Sequence, residues 1–199
     1  MELAYCQVRT LIPRELVWGT LCLFPISEIV LGVLKRATSR ESSVHDQGTL
    51  RVLWVVISVS LVVASMVKDV SLTRIPVSVG LSNMLSVTLM VSGLTLRWVS
   101  IFTLGRYFTV NIAIQPDHQV IRTGPYRFIR HPSYTGMLIA FFGLGVFFAN
   151  WLSLLVILMP ITLATLYRIK KEEDILLKVL GQPYQAYSTQ TKRLIPWLF

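Results

Sequence analysis

The chain has little charge, less acid and almost no cysteine, and each shortage removes a class of protein. Only 15% of its 199 residues are charged, where an average soluble domain carries about 25%. Hydrophobic residues make up 53% of the chain and fall into five runs near membrane-spanning length. A soluble domain of this size would not bury so many. The two cysteines, Cys6 and Cys22, build no disulfide framework, and neither supports a redox or metal site. No zinc-finger spacing is present, and no metal is expected.

Ten acidic residues against 19 basic ones leave a formal net charge of +9. A nucleic-acid partner is not expected from this, because the basic residues sit in short loops between apolar runs and no RNA-binding motif accompanies them. That distribution fits topology determinants and contacts to anionic lipid. A cleavable signal peptide is not expected either: Glu15 and Glu28 flank the first apolar stretch, and further spans follow.

The spans are read at 16–34, 50–67, 77–102, 134–148 and 151–167. The first contains Pro25 and Glu28; the third carries Gly80 and Gly93, which would let a neighbouring helix approach, and ends near Arg97 and Trp98, which read as interfacial anchors. Only Ala149 and Asn150 separate the last two, so these must form a tight antiparallel hairpin. With five spans, the loops after spans one and three share a side with the C-terminal tail. Most of the basic residues lie there, while Arg9, Arg14, Lys68 and Arg74 lie opposite. The positive-inside rule places the rich side in the cytoplasm and the N-terminus outside.

Three segments on the rich side hold polar residues that the membrane would not retain idly. The first is the long loop 105–132, which contains NIAIQPDHQVI over 111–121. An extended His118-Gln119-Val120-Ile121 offers backbone groups able to read a planar ring edge; equally, it is a surface loop with a short strand. The second is Arg130-His131-Pro132-Ser133-Tyr134. Pro132 suits a first helical turn, whose N–H groups and dipole favour an anion such as a carboxylate; the plainer reading is an interfacial Arg/His belt. The third is Arg168 with Glu172 one turn later, able to hold a carboxylate and a cation together, or simply a solvated pair ending a span. Because one segment opens the hairpin and the other closes it, His131 and Arg168 reach the same membrane face. A small polar cofactor and a lipid-like substrate could meet there.

On His118–Ile121, Gly124, Tyr126, Arg130–Tyr134, Arg168, Glu172-Glu173, Gly181 and Tyr184, in that order and spacing, the chain resembles the isoprenylcysteine carboxyl methyltransferase family, its short prokaryotic members included. The resemblance is specific over 118–198; the first three spans match in general character. It implies S-adenosyl-L-methionine as cofactor and methyl transfer to the carboxylate of a prenylated cysteine or similar lipophilic acceptor drawn from the bilayer. It also implies that Gln115, His118, Gln119, Val120, Ile121, Tyr126, His131, Pro132, Ser133, Tyr134 and Glu172 bind the cofactor, and that Arg168 holds the substrate carboxylate. Tyr187 and Arg193 could close the pocket from the tail without being site residues. Membrane lipids are the remaining expected partner, and no obligate protein partner is evident.

The reaction needs few ionisable groups, since a carboxylate is already nucleophilic at neutral pH and requires no general base. Two other enzyme readings stand beside it. A phospholipid or amine N-methyltransferase shares the cofactor half of the motifs, but its acceptor must lose a proton and would not be drawn to Arg168. A sterol-reductase-like NADPH enzyme also carries an Arg-His-Pro-x-Tyr turn, but would want more cationic residues for its phosphates. A small structural or transport subunit is the non-enzymatic alternative. The expected architecture is an all-α integral membrane protein of about five transmembrane helices, forming a single membrane domain over 1–199. Three N-terminal spans (1–102) precede a catalytic region (103–199) with a cofactor-binding loop, a helical hairpin and a cytoplasmic tail.

Overall fold

Apolar residues spaced one helical turn apart set the pairing of the helices. In the computed structural model, which describes residues 14–36, 43–44, 48–109, 113–114 and 117–196, the helices are α1 (Arg14–Arg36), α2 (Thr49–Val67), α3 (Val79–Leu104), α4 (Pro132–Phe147), α5 (Trp151–Leu180) and α6 (Gln182–Gln190). On α2, Leu53, Ile57, Ser60 and Ala64 are buried; on α5, Ser153, Ile157, Ile161, Thr165 and Arg168 are. These stripes face each other along an antiparallel pair. The Ser153 hydroxyl donates to the Ala64 carbonyl (2.9 Å) at one end, and Arg168 Nη1 donates to Thr49 Oγ1 (2.9 Å) at the other. The opposite faces carry Val52, Val55, Val59, Leu155, Met159 and Leu163, all exposed, as lipid-facing surfaces should be.

The helix bounds lie close to the spans read from sequence. α2, α3 and α5 are long and apolar enough to cross a membrane, while α1 contributes a shorter apolar stretch, Cys22–Leu31, and α4 has 16 residues. At 1.5 Å per residue α4 reaches about 24 Å, a little short of a ~30 Å hydrocarbon core. α5 runs 30 residues and so projects several turns beyond the membrane half of the hairpin. This projection carries Glu172 and Glu173 to meet the loops.

α3 and α4 approach through small residues. A Cβ added to Gly93 would meet the Gly136 carbonyl oxygen at 2.5 Å and the Ala140 nitrogen at 2.6 Å; one added to Gly136 would meet the Gly93 carbonyl at 2.5 Å. Gly80 does not share this role: nothing lies within 4 Å of its Cβ position. Arg97 is likewise no interfacial anchor. It is 8% exposed and points inward, for a reason given below.

The hairpin turn is held from within. Ala149 takes φ +46°, a conformation costly for a residue with a Cβ, and Asn150, fully buried, organises the turn around it. The Asn150 Oδ1 accepts from the Leu152 and Ser153 N–H groups and the Thr73 hydroxyl. Its Nδ2 donates to the Lys68 and Val70 carbonyls. One side chain thus caps α5 and ties the α4–α5 turn to the α2–α3 loop.

At the other end of the bundle the loops meet. A two-residue strand, β1 (Ser43–Val44), from the α1–α2 loop pairs antiparallel with β2 (Ala113–Ile114) from the loop after α3. Beyond α6 the chain returns to α4: Lys192 and Arg193 carbonyls accept from the Arg130 (2.8 Å) and His131 (3.0 Å) N–H groups, and the Leu194 carbonyl accepts from Thr135 Oγ1 (2.8 Å).

Candidate functional site

The start of α4 lies between two buried arginines. From α3, Arg97 Nη1 donates to the Ser133 hydroxyl (3.0 Å), while its Nε and Nη2 grip both oxygens of Glu28 on α1 at 2.6 and 2.8 Å. From α5, Arg168 Nε donates to the Tyr134 hydroxyl (2.8 Å), which in turn donates to Glu172 Oε2 (3.0 Å). Ser133 and Tyr134 are adjacent, so one turn of helix orients both guanidiniums. Arg168 is 3% exposed, which excludes a solvated surface pair with Glu172; the phenol of Tyr134 links the two instead.

Glu173 serves the scaffold. Its Oε1 accepts from Arg130 Nε (2.8 Å) and lies 3.2 Å from His131 Nε2, and its Oε2 accepts from Arg193 Nε (2.8 Å). Arg130 also donates to the Ser188 and Thr191 carbonyls. This cluster fastens the tail across the start of α4. It also revises the expectation of a helix start rich in spare donors. The Arg130 and His131 N–H groups go to tail carbonyls, those of Tyr134 and Thr135 return to the His131 carbonyl, and Pro132 has none. Ser133 alone supplies the N–H left at that turn.

One cavity joins these elements. Its walls carry His118, Gln119, Val120, Ile121, Tyr126, His131, Ser133, Tyr134, Arg168 and Glu172 together. Pro132 is buried and opens α4 without lining the cavity. Gln115 lies outside the described residues. The segment 118–122 carries no helix or strand, and the His118 ring lies 4.9 Å from that of Tyr107. Gly124, at φ +56°, starts the tight turn that aims Tyr126 inward.

The cavity has two chemical ends. Between α1, α2 and α4 it is lined by Phe24, Leu53, Trp54, Ile57 and Met137; toward the loop and α6 it meets His118, Glu172, Tyr184 and Tyr187. Burial raises the Tyr126 phenol well above its usual range and pushes Tyr187 up to about 12, so these hydroxyls stay protonated. Tyr187 donates to the Tyr126 carbonyl (2.7 Å). Burial lowers the His118 pKa from 6.5, partly opposed by Glu172 and Asp117, which keeps its ring neutral at pH 7. Among the described residues, two buried side-chain polar atoms find no hydrogen-bond partner, His118 Nδ1 and the Tyr184 hydroxyl. Both belong to this polar end.

The sequence leaves Glu28 without a role and presents Arg97 as an interfacial anchor. Their joint presence in apolar spans was the available signal, since lipid tolerates such charges chiefly as pairs. Thr49 and Tyr107 carried no signal of their own.

The segment that builds this site is also the one that matches known proteins. Residues 85–178 match the model of the isoprenylcysteine carboxyl methyltransferase family. Protein-S-isoprenylcysteine O-methyltransferase B of Arabidopsis thaliana is 31% identical over 113 residues, covering 56% of this chain and 57% of that protein. The protein-S-isoprenylcysteine O-methyltransferase of Saccharomyces cerevisiae is 26% identical over 140 residues, or 69% of this chain and 59% of that one. A solved structure of the eukaryotic intramembrane Ras methyltransferase, an isoprenylcysteine carboxyl methyltransferase, superposes with a TM-score of 0.54 at 26% identity, covering 75% of this chain and 51% of that one. The chain spans a little over half the length of the named relatives it matches. Residues 85–178, which carry Arg97, the Arg130–Tyr134 turn, Arg168 and Glu172, are thus the part of the chain similar to the isoprenylcysteine carboxyl methyltransferase family, on an integral membrane fold like that of the solved eukaryotic methyltransferase.

Proposed function

We propose that the chain is an S-adenosyl-L-methionine-dependent O-methyltransferase that esterifies the carboxylate of a prenylated cysteine or a similar lipophilic acceptor. The observation that carries the reading is the Arg168–Tyr134–Glu172 line on the wall of a cavity that is apolar at one end and polar at the other. A buried guanidinium at the boundary suits a carboxylate attached to an apolar tail, because a fork of N–H donors matches its two oxygens. A cationic amine acceptor would meet the same guanidinium with repulsion.

The polar end fits the cofactor. Glu172 is the acid there, able to accept from an ammonium or ribose hydroxyl, and His118 Nδ1 and the Tyr184 hydroxyl are two hydrogen-bonding atoms in want of a partner. When bound, S-adenosyl-L-methionine supplies a methyl group on a sulfonium, open to displacement by a carboxylate oxygen. Gln119, Val120 and Ile121 line the cavity with backbone outside any helix or strand, suited to reading a purine edge, and Ser133 offers its N–H. Phe24, Leu53, Trp54 and Ile57 exclude water from the acceptor's side, which favours charge-neutralising chemistry and fixed orientation. Arg168 orients the acceptor carboxylate, held in turn by Tyr134 and Thr49. The loop and tail end, rich in basic residues, faces the cytoplasm in this reading.

The test is calorimetric binding of S-adenosylhomocysteine to the purified protein in detergent, with Glu172→Gln as control. Transfer of labelled methyl to a prenylated cysteine in mixed micelles follows. Binding weakened by the mutation, with ester formed, supports the reading; a folded protein that binds nothing overturns it.

A further inference from the structure

Tyr184 owes its place to a change of direction. Gly181, at φ +57°, ends α5 and starts α6, and three residues later the Tyr184 ring turns back under the loop. The ring is 5% exposed and stacks edge-on against Tyr187 at 6.1 Å. Its neighbour shows what a structural tyrosine does here: the Tyr187 hydroxyl is spent on the Tyr126 carbonyl. The Tyr184 hydroxyl is buried without a partner although it lies in the field of Glu172, Glu173 and Arg130. A buried hydroxyl left unpaired destabilises a fold, and phenylalanine would fill the same space without that penalty. Such a group belongs where a ligand completes it.

We infer that the Tyr184 hydroxyl is a direct contact for the methyl donor at the polar end of the cavity. The inference rests on the proposal that this cavity takes S-adenosyl-L-methionine. Position decides between the two ligands. Tyr184 stands with His118 and Glu172, on the side of the cavity built by the loop, the projecting end of α5 and α6. The acceptor's tail belongs among Phe24, Leu53 and Trp54, between the first helices. Burial holds the phenol protonated, so it offers a donor to a carboxylate or hydroxyl oxygen and a lone pair to an N–H or O–H. His118 Nδ1, in the field of the same Glu172, presents the second unsatisfied atom of this wall.

Tyr184→Phe removes only the oxygen. In full-length protein in detergent, the Kd for S-adenosylhomocysteine should rise about tenfold, as loss of one hydrogen bond implies. The thermal midpoint without ligand should stay constant or rise, because an unpaired buried hydroxyl has gone. Tyr187→Phe should do the opposite, lowering the ligand-free midpoint through loss of the bond to Tyr126. An unchanged Kd for Tyr184→Phe would overturn the inference while leaving the cofactor reading standing. So would a weaker Kd accompanied by a lowered ligand-free midpoint, the signature of a structural role. Wild-type protein that binds no S-adenosylhomocysteine would overturn both.

Discussion

Arg97 on α3 and Glu28 on α1 form a two-pronged ion pair inside the helix bundle, Nε to Oε1 at 2.6 Å and Nη2 to Oε2 at 2.8 Å, with side chains only 9% and 10% exposed. The third arm of the guanidinium reaches Ser133 at the start of α4. Removing one partner of a buried pair leaves an uncompensated charge and costs about 3–5 kcal/mol, whereas removing both costs little. Glu28→Leu should therefore lower the thermal midpoint sharply, and Glu28→Leu with Arg97→Met should recover most of the loss. A single mutant as stable as the parent would mean that the pair is solvated.

The closest helix contact yields a second expectation. Gly93→Ala would push a methyl into the Gly136 carbonyl and the Ala140 nitrogen, which are backbone and cannot rotate away. Separation of α3 from α4 should cost about 1–3 kcal/mol and displace Ser133 and Tyr134, weakening S-adenosylhomocysteine binding with it. Gly80→Ala, with open space at its Cβ position, should change neither thermal midpoint nor binding.

These two pairs show what the sequence could and could not disclose. Gly93 and Gly80 look alike as small residues in one apolar run, and only the partner helix distinguishes them. The hairpin was legible because two residues between spans allow nothing else, and the shared side of loop and tail followed from counting helices. The cavity's loop and hairpin residues carried a readable order along the chain. The division of labour between Glu172 and Glu173 did not, since adjacent carboxylates differ only in what α4 and the tail bring to them. Arg97 was misread because depth was judged from its distance to the span's end. The helix runs past 102 to Leu104, which sets Arg97 seven residues, or about 10 Å, from its end, far enough to be buried by neighbours.

His118 gives the site a pH dependence of predictable sign. Burial lowers its pKa below 6.5, so the folded protein resists a proton that the unfolded chain accepts. The associated stability is present above the unfolded value and is lost as pH falls through about 6.5 toward the lowered folded value. Thermal midpoints should decline over that window, and His118→Gln should flatten the decline. S-adenosylhomocysteine affinity should hold through 6.5 and fall only as pH reaches the lowered folded value, because protonation then removes the neutral Nδ1 from the polar end. A mutant with the parent's slope would assign the titration elsewhere.

Under the proposed function, variants at Arg168 and Tyr134 should separate the acceptor's site from the cofactor's. Arg168→Ala should reduce methyl transfer to a prenylated carboxylate by at least about 100-fold, the scale set by a misplaced reactant, while leaving S-adenosylhomocysteine affinity nearly unchanged. Arg168→Lys should not restore it, since a single ammonium cannot bond Tyr134 and Thr49 and also present a fork. Tyr134→Phe takes the shared hydroxyl from both sides: Glu172 loses a donor and Arg168 an acceptor. Both the cofactor Kd and kcat should then worsen, by about tenfold each. Parallel calorimetry and single-turnover transfer on the three variants provide the check. If Arg168→Ala lost cofactor binding as completely as transfer, the guanidinium would be holding the polar end together, and the carboxylate would have to be recognised elsewhere.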